Sequence, residues 1–209
     1  MHRLSRRLVL TSATVGLVET RRVTAEEHGE MPEAPTTGGR RPGPVLPDRW
    51  RPPPPAVRGA APVAIRIEKA AVEAPVEQVA IVDGVMQDPS GPWVVSWYDD
   101  LAALGERGNV VMAGHVDYWD VGPAVFWNLT GLQPGDEIQV VAEDDRVFTY
   151  GVDWFKDYVV ADMTEADFDE MLGDAGDEAL TLMTCALGTF DAATGEYRER
   201  TVLRATQTA

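Results

Sequence analysis

One cysteine, Cys185, stands in 209 residues, and a single cysteine closes no internal disulfide. Histidine is almost as scarce: there are three, and two of them, His2 and His28, fall within the first thirty residues. No second histidine or cysteine lies near His115 or Cys185 in sequence, which removes the usual zinc spacings. Basic residues run short beyond residue 66. Residues 67–209 hold 7 Lys or Arg against 28 Asp or Glu, whereas residues 1–66 hold 11 against 6. A segment so acidic does not neutralise phosphates, so nucleic acid is excluded as a partner. Long apolar runs are missing from the N-terminus as well: residues 8–18 form a stretch of 11, short of the about 20 that a membrane-crossing helix needs. The acidity comes without an EF-hand loop, since Asp83-Gly84 lacks alternating oxygen ligands. No cofactor or metal is expected, and calcium dependence has nothing but charge behind it.

What is present divides the chain into three. Residues 1–25 combine a basic start (Arg3, Arg6, Arg7), the short apolar stretch and the small-residue sequence Val23-Thr24-Ala25, the pattern of an export segment. Residues 5–10 faintly resemble a twin-arginine signal. Residues 26–61 form a linker: ten of the fifteen prolines lie between Pro32 and Pro62, including Pro52-Pro53-Pro54-Pro55. Such a stretch favours extended polyproline II and builds no core, so it reads as a semi-rigid spacer. Residues 62–209 are the folded domain, and the 44% apolar content of the whole chain is ordinary for a globular protein.

Within that domain, period-two alternation predicts strands at 63–67, 137–142 and 146–152, with Phe148, Tyr150 and Val152 on one face. Further strands are expected at 75–82, closed by an Asp83-Gly84 turn, at 93–98 and at 109–114. Residues 100–107 suggest one or two helical turns. Residues 122–129 suggest a turn and short helix with aromatics packed inward, and Pro134-Gly135-Asp136 lies in a turn. Thr164, with Asp167 three residues on, opens a helix with Phe168, Met171 and Leu172 on one face. Seven or eight short strands with two or three short helices describe an all-β barrel.

The chemistry centres on the end of the run Leu180-Thr181-Leu182-Met183-Thr184-Cys185. A lone thiol closes an apolar strand there, and a turn-rich loop returns the chain along Tyr197-Arg198-Glu199-Arg200. A thiolate is the reactive form of cysteine, and nearby cations favour it. His115, delivered by the strand before it, supplies a general acid or base, and an arginine supplies fixed positive charge for an oxyanion. Arg200 is ranked first; Arg198, two residues earlier in the same parity, stays open. Asp117 orients His115 or caps a turn. A buried, silent cysteine is the plainer alternative.

TLMTC followed by FDAATGEYRER, with AGHVD upstream, resembles the sortases, the cysteine transpeptidases of Gram-positive cell surfaces. The likeness spans about residues 62–205, and GHVD, GPAVFWNL and GLQPGDEI are in the style of the actinobacterial classes E and F. The combination carries the resemblance; each motif alone is weak. It implies an eight-stranded barrel, with Cys185 as nucleophile, His115 as proton shuttle, Arg200 as oxyanion stabiliser and Thr184 as a positioning neighbour. It implies cleavage of an LPXTG-like sorting signal between Thr and Gly, then transfer to an amine of a cell-wall precursor or a pilin lysine. It places the protein outside the membrane, at the cell surface. Most sortases carry an N-terminal membrane anchor, so residues 1–25 are either a cleaved signal or a tether cut short. A wall-associated binding module and a thiol hydrolase on the same fold are the competing readings.

Overall fold

The computed structural model describes residues 59–208; residues 1–25 and nearly all of the 26–61 stretch lie outside the described residues. Eight strands form a closed barrel: β1 (Pro62–Ile67), β2 (Val72–Val79), β3 (Val95–Tyr98), β4 (Gly108–Ala113), β5 (Glu137–Ala142), β6 (Val147–Val159), β7 (Glu178–Cys185) and β8 (Glu199–Gln207). Their order around the barrel is β1-β2-β3-β4-β7-β8-β6-β5, closing back on β1. Two pairs are parallel, β2 with β3 and β4 with β7; the others run antiparallel.

Side-chain alternation sorts the apolar residues into two layers. Ile65, Ile67, Val110, Met112, Ile138, Val140, Leu180, Leu182 and Leu203 fill the barrel interior. The intervening residues Val111, Met183 and Val202 point outward and are covered by a helix, α1 (Glu165–Leu172). A strand covered on both faces has no polar side to show, which is why β7 reads as a continuous apolar run. Phe168, Met171 and Leu172 are the helix's buried face, each contributing about 1.5–3 kcal/mol by burial.

The ends of α1 are both held. At the start, Asp167 accepts the Thr164 N–H at 2.8 Å while its own N–H reaches Thr164 Oγ1 at 3.4 Å, the capping box expected from sequence. At the other end the Arg204 guanidinium, nearly buried on β8, donates to the carbonyls of Glu170 and Met171. The helix is thereby tied to the last strand.

Strand β6 runs past the predicted 146–152, to Val159. A bulge between Val152 and Trp154 gives it one extra residue against β8. One extra residue reverses which side chains face inward. Phe148, Tyr150 and Val152 face the interior, but beyond the bulge Phe155 does so and Trp154 and Tyr158 turn outward to the α1 layer.

The expected short helices resolve into α1 and three 3-10 turns at Glu68–Ala70, Leu129–Gly131 and Val160–Asp162. Residues 100–107 are not helical. Leu104 instead exchanges two backbone hydrogen bonds with Ala60, at 3.0 and 3.1 Å, and Gly105 takes a left-handed φ of +83°. In the 122–129 stretch Phe126 is fully buried, but Trp127 points out to solvent. The Asp83-Gly84 turn closes a small hairpin of Ile81–Val82 with Val85–Met86, separate from β2.

Candidate active site

His115 is placed by β4. The strand pairs in parallel with β7 up to Ala113 against Met183, and Gly114 N–H continues the ladder to Met183 O at 3.0 Å. Val111 and Ala113 face the α1 layer, and His115, half-buried, follows just past the strand end. Gly114 is required by packing. A Cβ there would stand 2.6 Å from the Phe126 ring and 2.9 Å from Val125 Cγ1. Phe126 N–H in turn donates to His115 O at 2.9 Å, and the imidazole rests edge-on against Tyr118 with ring centres 5.1 Å apart.

Cys185 ends β7 and stands opposite Arg200 of antiparallel β8. Cys185 shares the outer face of Met183, and Arg200 that of Val202, so thiol and guanidinium project from one side. Both are half-buried. Arg200 Nη1 donates to Tyr197 O at 2.9 Å and Glu199 O at 3.2 Å, which orients the head group. Tyr158 of β6 pairs with Arg200 on its other side and donates to Glu170 of α1 at 2.8 Å. Cys185 and Arg200 therefore share one outer face, and His115 follows the end of the neighbouring strand β4.

The remaining sequence candidates are placed differently. Thr184 is buried opposite Thr201 and shares the inward face of Leu182; its hydroxyl has no hydrogen-bond partner among the described residues. Arg198 sits in a bend between the short strand Glu196–Tyr197 and β8, and its side chain is exposed. The parity argument that equated it with Arg200 fails, because alternation does not carry through a bend. Asp117 lies in a two-residue ribbon, Asp117–Tyr118 against Gly122–Pro123, and its carboxylate accepts the hydroxyl of Tyr197 rather than a nitrogen of His115.

Tyr197 is the residue that sequence reasoning missed, although it stands inside the quoted GEYRER. Burial foremost, then the bond to Asp117, holds its hydroxyl well above the usual phenol range, and negative charge at Asp117 and Cys185 adds to this. Among the described residues, no three His, Cys, Asp or Glu side chains gather as metal ligands would. A surface concavity of about 760 Å³, lined by Arg66, Lys69, Glu73 and Glu137, lies over β1, β2 and β5 and includes none of the candidates.

Residues 65–208, more than half of the chain, match the Sortase domain family. The chain belongs to the sortases. No curated protein matches its sequence. Among solved structures it resembles sortase A from Corynebacterium diphtheriae at 18% identity and a TM-score of 0.53, covering 74% of this chain and 63% of that one. Sortase A from Listeria monocytogenes is similar at 20% identity and a TM-score of 0.53, covering 71% of this chain and 88% of that one. A Clostridium perfringens sortase D5 transpeptidase is similar at 21% identity and a TM-score of 0.51, covering 73% and 83%. At these identities the structural likeness speaks for the fold. The chain spans less than two-thirds of the C. diphtheriae protein's length.

Sortases are cysteine transpeptidases, and in this one Cys185, Arg200 and the segment just past β4 that carries His115 lie at the same end of the barrel. No helix among the described residues is long and apolar enough to cross a membrane.

Proposed function

We propose that this sortase is an active cysteine transpeptidase with Cys185 as nucleophile, His115 as proton shuttle and Arg200 as oxyanion stabiliser. The observation that carries the reading is the direct pairing of Cys185 with Arg200, with His115 just past the end of the neighbouring parallel strand. A guanidinium across the ladder favours the thiolate and later the oxyanion. The Cys185 sulfur attacks the Thr carbonyl carbon of an LPXTG-like sorting signal. The Thr–Gly C–N bond breaks, and the leaving amine takes its proton from His115. The thioester waits until an amine attacks it; that amine gives a proton to His115, and the C–S bond breaks to restore the thiolate. The amine comes from a cell-wall precursor or a pilin lysine. GHVD, GPAVFWNL and GLQPGDEI support membership of the actinobacterial class E and F branches. The basic, apolar residues 1–25 and the Pro-rich 26–61 support export and a spacer that holds the enzyme off the membrane of a Gram-positive cell.

The test is acceptor dependence. With an LPXTG-like peptide alone, turnover is slow and limited by resolution of the acyl-enzyme. Hydroxylamine accelerates loss of peptide and diverts product to the hydroxamate; Cys185→Ala abolishes both, and His115→Ala nearly does. An unchanged rate and product on adding amine identifies a hydrolase. Failure to cut, with Cys185 alkylated only after denaturation, identifies a binding module.

A further inference from the structure

Tyr197 takes no part in the bond changes above, yet it is bonded both to the segment after His115 and to Arg200. Its hydroxyl donates to Asp117, two residues beyond His115. Its carbonyl accepts Nη1 of Arg200 at 2.9 Å.

The surroundings show what this arrangement holds. After β7 the chain forms a two-stranded ribbon, Phe190–Asp191 against Glu196–Tyr197, which belongs to neither apolar layer. The ribbon after β4, Asp117–Tyr118 against Gly122–Pro123, carries the residues just beyond His115. The two ribbons are joined at two points. One is the Tyr197–Asp117 bond; the other is the edge-on contact of Phe190 with Trp119, ring centres 6.2 Å apart. Trp119 and Phe190 are 40% and 36% exposed, so water shares their contact, whereas Asp117 and Tyr197 are half-buried. A hydrogen bond to an ionised acceptor is also the stronger kind. Phe190 packs edge-on against Tyr197 at 5.3 Å, which steadies the phenol ring.

We infer that Tyr197 is a positioning residue: through Asp117 it latches the β7–β8 loop onto the segment that carries His115, and through its carbonyl it sets the head group of Arg200. This rests on the transpeptidase reading of the site. Because β7, β8 and β4 are registered by their own ladders, the latch governs the strand-end residues and not the barrel. A phenylalanine keeps the ring contact with Phe190 and the carbonyl on Arg200 and deletes only the bond to Asp117.

The experiment uses the full chain with Tyr197→Phe, Asp117→Ala and the double variant. Cleavage of an LPXTG-like peptide with hydroxylamine present, Cys185 alkylation by iodoacetamide and thermal midpoint are each measured. Each single variant lowers kcat about tenfold, of the order of one charge-assisted hydrogen bond, with KM unchanged and the thermal midpoint lowered by no more than a few degrees. The double variant is no slower than either single, because both substitutions remove the same bond. Wild-type kcat in Tyr197→Phe, multiplying losses in the double variant, or a loss that tracks the thermal midpoint overturns the latch. If wild type itself leaves the peptide uncut, the transpeptidase reading fails, and the latch is then judged on alkylation: it stands if both singles and the double slow Cys185 equally, and falls if they match wild type.

Discussion

Cys185 and Arg200 are direct cross-strand partners at the end of the β7–β8 ladder, with Thr184 on Thr201 and Met183 on Val202 behind them. Directly opposed residues have Cβ atoms about 4.5–5.5 Å apart, so the positive head group is within reach of the sulfur wherever the β7–β8 loop lies. The loop's task is narrower. It holds the guanidinium through the carbonyls of Tyr197 and Glu199, at 2.9 and 3.2 Å.

This pairing separates the two arginines. Arg200→Ala lowers kcat by about 10²–10³, the usual effect of removing an oxyanion donor, and slows alkylation of Cys185 in the folded protein. Arg198→Ala, at an exposed bend, leaves both near wild type. Steady-state kinetics with an LPXTG-like peptide checks the order; the reverse result moves the role to Arg198.

Gly114→Ala tests how His115 is held. The new methyl meets the Phe126 ring at 2.6 Å, and Phe126 also bonds His115 O. Relief requires moving Phe126, Val125 or the backbone, at about 1–3 kcal/mol for overpacking. A lowered thermal midpoint together with lost turnover is expected. Full activity would mean that His115 does not depend on this packing.

The outer helix α1 loosens in acid. Glu170 accepts Lys156 Nζ at 2.6 Å and Tyr158 Oη at 2.8 Å, and these bonds, Lys156 first, hold its carboxyl below the ordinary value of 4.5. Its contribution is therefore complete above pH 4.5 and is lost as pH falls through the depressed value. Asp167 behaves the same way: the Thr164 side chain, then the Thr164 backbone, holds it below 3.8. Thermal midpoints measured against pH decline below 4.5 in the wild type. They decline less steeply in Glu170→Gln, which begins lower at neutral pH; parallel curves would remove Glu170 from the acid response.

The amino-acid sequence by itself determined what is local. Alternation at 137–142 marks out β5, the Thr164 and Asp167 pair starts α1, and the apolar run to Cys185 reads as a buried strand. The lone thiol, the single histidine of the folded domain and the arginines after it were legible for the same reason: chemical identity needs no fold. Tertiary structure decided everything that depends on distant partners or broken periodicity. A bulge at Val152/Trp154 reverses the facing of β6 and turns Tyr158 toward Arg200, which no period-two reading carries across. Residues 100–107 give up a helix because Leu104 pairs with Ala60. A bend at Arg198 cancels its parity with Arg200. Asp117 belongs to Tyr197, 80 residues away, and the side-by-side pairing of β4, β7 and β8 brings the two loops together, because a hydrogen bond depends on distance in space and not along the chain.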